Sequence, residues 1–159
     1  MSTEDKVVKI GELYPQQVDS PLCFACGPDS ASGLKLRFKK ESEDSVSTRL
    51  VPRADWTGWG DILHGGFQTL LLDETMSWTA HGILGLRAFV TKDLKVRFLL
   101  PVDVYQELTV IGFIVDDDGK TITTRGELRD NKNKLLTTAK ATIVRVDPKV
   151  LTSKKHPKT

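Results

Sequence analysis

The segment GWGDILHGGFQTLLLDETM, residues 58–76, contains a histidine and two glycines followed by an apolar run with two carboxylates inside it. A helix that begins at His64-Gly65-Gly66 leaves its first backbone N–H groups unpartnered, at the positive end of the helix dipole. Glycines let an oxygen atom approach those groups closely, which suits a carbonyl that gains negative charge under attack. The alternative interpretation is that the glycines only form a tight turn over a packed His64.

The two carboxylates of this segment, Asp73 and Glu74, differ in their predicted surroundings. The helical period places Asp73 in a stripe of small or polar residues, whose other members are Gly66, Thr69, Ser77 and Ala80. Asp73 is too far inside the helix to act as a cap, and an unpaired buried carboxylate is costly, so it indicates either a catalytic role or a structural partner. Glu74 points about 100° away and is interpreted as the solvent-facing or salt-bridged member of the pair.

The elements that position these residues follow from hydrophobic periodicity. Residues 66–81 contain no proline and are bounded by glycines, which predicts one helix of about four turns. Alternating or apolar runs predict strands at 34–38, 45–51, 88–99, 105–115, 121–130 and 135–146. DDDG at 116–119 and DNKN at 130–133 predict hairpin turns. One long helix followed by antiparallel strands predicts an α+β fold with the sheet wrapped around the helix.

Length and charge narrow the class of protein. The 159 residues, 39% of them hydrophobic, suffice for one domain, which is predicted at 34–147. Residues 1–33 are predicted to be an irregular or partly helical arm outside the core, and residues 148–159 a basic, disordered tail. The net charge of +2 arises from interspersed signs, so no nucleic-acid partner is expected. No stretch has the roughly 18 consecutive apolar residues of a membrane span, and no signal peptide is recognisable, so a cytoplasmic protein without a membrane partner is expected.

The remaining reactive residue types suggest no second chemistry. Cys23 and Cys26 are too few for a disulfide scaffold, and their C-x2-C spacing lacks a second pair or a nearby histidine, so no metal, redox role or cofactor is expected. His81 and His156 are interpreted as structural or inert. Each of the three tryptophans either lines an acyl pocket or belongs to the core; they are Trp56, Trp59 and Trp78.

Two motifs carry a family resemblance. HGGFQTLLLD, with the aspartate nine positions after the histidine, and the later FVTKDLKVRFLLPV strongly resemble the hotdog-fold acyl-CoA thioesterases of the PaaI-like family. CFACGPDSASGLKLRF resembles an N-terminal segment of many members, so the resemblance extends from Cys23 to Val146. It implies a hotdog thioesterase domain at 34–147 and a hydrolase that cleaves acyl-CoA to a free acid and CoA.

The resemblance also implies roles for individual residues. Asp73 would be the general base or the nucleophile, and the backbone N–H of Gly65, with that of Gly66, would form the oxyanion hole. His64 would orient the turn or contact the thioester, and Thr91 would assist the carboxylate or its water. One departure is Gly58, which stands where some relatives carry Asn or Gln to position water.

The spacing of Gly65 and Asp73 constrains the assembly. They are eight residues apart on one helix, which is roughly 12 Å at the rise of an α-helix. One thioester carbonyl cannot contact both groups, because base and oxyanion donor must each lie within about 3 Å of the reacting atoms. The site is therefore predicted to combine two subunits of a homodimer or homotetramer.

The sequence leaves three questions unanswered: which cations bind the CoA phosphates, whether the protein is an enzyme or a binding protein, and which acyl group it takes. CoA phosphates require cations, and the candidates, which are otherwise plain surface charges, are Arg53, Lys92, Lys95 and Arg97. A non-catalytic acyl-CoA-binding or regulatory hotdog protein is the main alternative to the enzyme, whereas an acyl dehydratase or hydratase would usually carry a different Asp/His arrangement. The acyl group is not encoded in these motifs.

Overall fold

The computed structural model describes residues 7–16 and 19–152. Elements in this part of the chain are, in order, β1 (Lys39–Lys40), β2 (Ser45–Leu50), a 3₁₀ turn (Ala54–Trp56), β3 (Thr57–Trp59), β4 (Ile62–Leu63), α1 (Gly65–Leu84), β5 (Phe89–Phe98), β6 (Leu108–Asp117), β7 (Thr121–Arg129), β8 (Leu135–Arg145) and α2 (Pro148–Thr152).

The larger sheet of the described chain has six strands in the order β1-β2-β6-β7-β8-β5, and every neighbouring pair is antiparallel. β3 and β4 form a separate small ribbon just before the helix. Helix α1 packs against one face of the large sheet and contacts β2, β5, β6, β7 and β8. The predicted α+β fold, with an antiparallel sheet around one long helix, is therefore confirmed as a hotdog arrangement.

Helix α1 is longer than the predicted 66–81 and begins directly after His64. It ends at Gly85, whose φ of 68° is the left-handed conformation that glycine adopts freely. Its buried face includes Leu71, Leu72 and Met76, all 0% exposed. This face supplies the centre of the core.

A pair of glycines allows the helix to lie close to the sheet. Gly112 of β6 and Gly126 of β7 are directly opposite each other in the antiparallel register. A Cβ atom at Gly112 would lie 2.3 Å from Thr79 Oγ1, and one at Gly126 would lie 3.0 Å from Leu72 Cδ2. Larger residues at either position would push α1 away from the two central strands.

The N-terminal arm corrects one prediction, because it contributes to the core. Tyr14, Ala25 and Cys26 are buried, with exposed fractions of 7%, 2% and 6%. Tyr14 packs against α1 at Gly82, where a Cβ atom would lie 2.6 Å from Tyr14 Cζ. The irregular backbone predicted for the arm is confirmed between residues 19 and 33, which form successive turns.

Two local predictions are also corrected. Residues 34–38 do not form a strand, although Leu36 and Phe38 are buried as the alternation predicted. Pro148–Thr152 form α2 instead of a disordered tail, because Asp147 Oδ1 accepts the Lys149 N–H at 2.9 Å and proline is well suited to a first helical turn. Residues 1–6, 17–18 and 153–159, including His156, lie outside the described residues.

None of the described helices has the length and apolar character needed to cross a bilayer.

Candidate active site

The start of α1 is capped by the imidazole of His64. The Gly66 N–H donates to His64 Nδ1 at 2.9 Å, and Gln68 N–H reaches the His64 carbonyl oxygen at 3.2 Å. The Gly65 N–H has no acceptor among the described residues. Of the two N–H groups predicted for the oxyanion hole, only that of Gly65 is therefore unoccupied; the Gly66 group is already donated to His64.

The same contact determines the protonation pattern of the His64 ring. A ring nitrogen that accepts a hydrogen bond from a backbone N–H must itself be unprotonated. The neutral imidazole therefore carries its hydrogen on Nε2, and the ring is exposed. His64 thus caps the helix start through Nδ1 and retains one donor for a further contact.

The β3–β4 ribbon and the end of β5 surround this helix start. Trp56 stacks on Phe67 with ring centroids 4.9 Å apart, and its carbonyl oxygen accepts the His64 N–H at 2.9 Å. A Cβ atom at Gly58 would lie 3.1 Å from His64 Cδ2, so the glycine found at this position lets the loop approach the imidazole ring. Phe98 packs against Gly65 in the same way, with Cζ 3.3 Å from the position of a Cβ.

Asp73 and Thr91 meet between α1 and β5. The Thr91 Oγ1 hydroxyl donates to Asp73 Oδ1 at 2.8 Å, and both residues are partly buried. The carboxylate has no ion-pair partner among the described cations. A partly buried carboxylate held by one hydroxyl retains lone pairs for a water molecule or for a substrate carbon.

A β-bulge at Lys92 makes the Asp73–Thr91 contact possible. Thr91 pairs with Ile143 and Asp93 with Thr142, so β5 has one extra residue at this point. Side chains alternate across a strand, and the extra residue lets Thr91 face α1 together with Leu94 and Val96, which pack against the core. The sequence gives no separate signal for this bulge.

Gln68 is a structural residue of the site that the sequence patterns missed. Its side chain is only 4% exposed. Its Nε2 donates to the Leu63 carbonyl oxygen at 3.0 Å, and its Oε1 accepts from Thr137 Oγ1 at 2.6 Å. These bonds tie the helix start to β4 and β8. The available signal was an amide inside the apolar run GGFQTLLL, since a buried amide needs partners on both sides.

Glu74 corrects the interpretation of a solvent-facing or salt-bridged carboxylate. It lies under the N-terminal arm, with Cys23 Sγ 3.9 Å from Glu74 Oε1, and none of the described cations pairs with it. Burial raises the pKa of Glu74, hydrogen bonding from Cys26 lowers it in part, and the Asp73 charge raises it further. Burial and the Glu74 charge likewise raise the pKa of the Cys26 thiol.

A cavity of about 250 Å³ lies beside Glu74 and not at the start of α1. Its lining includes Cys23, Cys26, Glu74, Ser77, His81 and Arg87. His81 Nδ1 lies 2.6 Å from the Leu86 carbonyl oxygen, which is a structural contact as predicted. Trp78 is 6% exposed and stacks on Phe38, so it belongs to the core.

The predicted cations for CoA phosphates lie on the surface. Lys92, Lys95 and Arg97 are exposed along β5, and Arg53 forms an ion pair with Asp55. Trp59 is 86% exposed at the β3–β4 ribbon. None of these cations forms an ion pair with Asp73.

A long helix seated on an antiparallel sheet, with a glycine turn at its start and a carboxylate two turns inside, defines the hotdog class. Residues 60–137 match the family model described as the thioesterase superfamily. This segment is thus similar to the thioesterase superfamily, and the predicted resemblance to PaaI-like hotdog thioesterases is confirmed. No curated protein matches the sequence.

Solved structures share the fold. A thioesterase superfamily protein is 26% identical with a TM-score of 0.71; the match covers 78% of this chain and 60% of that protein, less than two thirds of its length. The Escherichia coli PaaI protein from the phenylacetic acid degradation operon is 17% identical with a TM-score of 0.66, and the match covers 72% of this chain and 81% of PaaI.

A third similar structure is a hypothetical thioesterase from Streptococcus pneumoniae, solved with coenzyme A. It is 17% identical with a TM-score of 0.64, and the match covers 70% of this chain and 85% of that one.

Proposed function

We propose that this protein hydrolyses acyl-CoA thioesters to a free acid and CoA. The observation that carries the proposal is the partly buried Asp73 carboxylate, which is held by Thr91 Oγ1 at 2.8 Å and has no described cation to neutralise it. Similarity to the thioesterase superfamily and the coenzyme A in the S. pneumoniae structure support a CoA thioester as the substrate.

Two chemical routes are consistent with this arrangement. As a general base, Asp73 takes a proton from water while the oxygen attacks the thioester carbonyl; collapse of the tetrahedral intermediate breaks the C–S bond, and the CoA sulfur takes up the proton. As a nucleophile, Asp73 attacks the thioester carbon and breaks the C–S bond, which gives an acyl anhydride and the CoA thiolate; water then hydrolyses the anhydride, regenerates Asp73 and supplies the proton that the thiolate takes up. In both routes Thr91 orients the carboxylate, and the Gly65 N–H stabilises the oxyanion. His64 Nε2–H would contact the thioester.

A second copy of the chain completes the site in this proposal. Gly65 and Asp73 both lie on the continuous helix α1, so the separation of roughly 12 Å expected from helix geometry applies within one chain. β5 is one of the two outer strands of the sheet, and large apolar side chains at or near it are exposed: Val90, Phe98, Leu99 and Leu100. Exposed strand edges of this kind promote pairing. A homodimer joined along β5, or a tetramer of two such dimers, would bring Asp73 of one copy to Gly65 of the other.

The alternative function is acyl-CoA binding without hydrolysis. A binding protein has no chemical use for an uncompensated carboxylate oriented by a hydroxyl, since burying such a group costs free energy. The Asp73–Thr91 pair therefore favours the enzyme.

The test is thiol release from a panel of short, long and aromatic acyl-CoAs. We expect Asp73→Asn to lower kcat by at least about 100-fold, which is typical for loss of a general base. Thr91→Val should lower kcat by about tenfold, because the carboxylate remains but loses its orienting bond. Asp116→Asn is the matched control, since Asp116 is an exposed carboxylate of β6 and belongs neither to the proposed site nor to the β5 edge, and it should keep wild-type activity.

Two results would contradict the proposal. Full activity of Asp73→Asn would remove Asp73 from the mechanism. Calorimetric binding of acyl-CoA by the wild type, with no thiol release from any member of the panel, would establish the binding protein instead.

A further inference from the structure

Two thiols and a carboxylate from distant parts of the chain meet beside the 250 Å³ cavity. Cys23 and Cys26 lie in the N-terminal arm, and Glu74 lies 48 residues beyond Cys26 in α1. One ligand atom of each side chain lies within 4.8 Å of the other two, and Cys23 Sγ is 3.9 Å from Glu74 Oε1. None of these three side chains takes part in the chemistry proposed for Asp73.

We propose that Cys23, Cys26 and Glu74 bind one zinc ion, with the fourth coordination position facing the cavity. The proposal replaces the expectation that the cysteine pair binds no metal. That expectation rested on the lack of further ligands close by in sequence, and the fold supplies one from α1.

The distances agree with tetrahedral coordination. With Zn–S bonds of about 2.3 Å and a Zn–O bond of about 2.1 Å, tetrahedral geometry separates sulfur from oxygen by about 3.6 Å and the two sulfurs by about 3.8 Å. The observed Cys23–Glu74 distance of 3.9 Å is close to the first value. Because all three atoms already lie within 4.8 Å, small side-chain rotations suffice to bind the ion.

The charge around Glu74 also favours a cation. Glu74 is a partly buried carboxylate beside Asp73 and two thiols, and no described lysine, arginine or histidine pairs with it. Buried charges in proteins are normally paired or coordinate metals. Zinc would replace the two thiol protons with an equal charge, so the local net charge would not change, and it would supply the cationic partner that the Glu74 carboxylate lacks.

The backbone holds the two cysteines in a fixed turn. The Gly27 N–H donates to the Cys23 carbonyl oxygen at 2.8 Å. A Cβ atom at Gly27 would lie 2.4 Å from the Pro21 carbonyl oxygen and 2.5 Å from Cys23 N, so no other residue fits this turn without moving the backbone. The cysteines are thus presented as a pair before any ion binds, which reduces the entropy that binding must overcome.

The cavity offers a group for the fourth position. His81 lines the same cavity, and its Nδ1 lies 2.6 Å from the Leu86 carbonyl oxygen. A carbonyl oxygen can only accept, so Nδ1 carries the hydrogen, and Nε2 of the neutral ring has a free lone pair. This pattern, with one ring nitrogen donating to a backbone carbonyl, is typical of zinc-binding histidines. His81 lies outside the group of three ligand atoms within 4.8 Å of one another, so a water molecule would complete the coordination unless the His81 side chain moves toward the ion.

The role of the ion would be structural. It would fasten the N-terminal arm to α1 one residue from Asp73, so that the arm supports the helix segment that carries the carboxylate. The inference does not rest on thioester hydrolysis, because the residues and the measurements differ.

The test uses the full chain without a histidine tag, purified under reducing conditions. We expect one zinc per chain by elemental analysis and native mass spectrometry. Co²⁺ should produce a thiolate charge-transfer band and the visible bands of a tetrahedral site. Competition with a chelator should show that Cys26→Ser and Glu74→Gln each weaken zinc binding by at least about 100-fold, because loss of a ligand exceeds the 10- to 100-fold effect of second-shell changes.

Asp73→Asn is the matched control, since it alters the neighbouring carboxylate in the same isosteric way but removes no ligand, so it should weaken zinc binding far less than Glu74→Gln does. A wild-type chain that binds no zinc at one equivalent overturns the proposal without any variant. Equal zinc affinity of the wild type and Glu74→Gln also overturns the proposal, because Glu74 would then not be a ligand. A zinc-dependent rise in Tm that persists in Cys26→Ser overturns it as well, because zinc would then bind non-specifically.

Discussion

At the scale of single residues, the neighbours His64, Gly65 and Gly66 have different roles at the start of α1. His64 caps the helix by accepting the Gly66 N–H, which leaves the Gly65 N–H as the donor without an acceptor among the described residues. Gly65 is the first residue of the helix, and Phe98 packs directly against it. The proposed oxyanion donor can therefore be removed by one substitution without loss of the cap.

We predict that Gly65→Pro lowers kcat by about 100-fold, the usual effect of losing one oxyanion donor. Proline is well tolerated at a first helical position, and the ψ of 135° at His64 suits a residue before proline. Gly65→Ala is the control, since it adds a Cβ against Phe98 and keeps the N–H. Circular dichroism should show the same helix content in both variants. Equal kcat values for the two would show that the N–H is not the donor.

The sequence could predict some residues of the site and not others for a physical reason. The contact between Asp73 and Thr91 was predictable, because the motif spacing and the family resemblance both point to these two residues. Glu74 was assigned to solvent because a helical wheel describes the face of a residue but not what covers it. The N-terminal arm covers Glu74. Cys26 of the arm lies 48 residues before Glu74 in the sequence, so no local sequence pattern encodes their contact.

At the scale of elements, the β6–β7 hairpin depends on one turn carboxylate. Asp118 Oδ1 accepts the backbone N–H groups of Lys120 at 2.8 Å and Thr121 at 2.7 Å, and Oδ2 accepts the Thr121 hydroxyl at 2.6 Å. These bonds lower the pKa of Asp118 from 3.8 to about 2. The hairpin was predictable from DDDG because such turns are formed by near neighbours in sequence.

We predict that Asp118→Ala destabilises the protein at neutral pH and that the difference shrinks in acid. The folded pKa lies below the unfolded value, so the stabilisation by the carboxylate is fully present above pH 3.8 and is lost as the pH falls through about 2. Urea denaturation between pH 7 and pH 2 measures the difference. Asp116→Ala, an exposed neighbour on β6, should show no such trend. A pH-independent gap for Asp118→Ala would contradict the hydrogen-bonded carboxylate.

Other elements were less predictable. The bounds of β6, β7 and β8 agree with their apolar alternation within a few residues, whereas the bulge in β5 and the non-strand path of 34–38 do not follow from it. In both cases packing against α1 determines which side chains face inward, so the backbone adjusts to tertiary contacts that local propensity does not include.

At the scale of the whole molecule, the geometry of α1 requires an assembly if Gly65 and Asp73 act on one carbonyl. We predict that mixing Gly65→Pro with Asp73→Asn restores activity that neither variant has alone. Random exchange gives half mixed dimers, each with one intact site, so recovery should reach about one quarter of the wild-type rate. Subunits are mixed under mild denaturation, and light scattering follows the assembly.

The control is the same two variants combined without subunit exchange, which should stay inactive. No recovery after verified exchange would place base and oxyanion donor within one chain, and a monomer in light scattering would exclude the shared site.

The strand order also constrains how this chain can be made. β5 is an outer strand whose hydrogen-bonded neighbour is β8, the last strand of the sheet. During synthesis on the ribosome, β5 therefore has no sheet neighbour until residues 135–145 have emerged. Its apolar side chains lack the cover of β8 while β6 and β7 are being synthesised. Closure of the sheet is a late and non-local step, so the interval before β8 appears is when newly made chains are most vulnerable to aggregation.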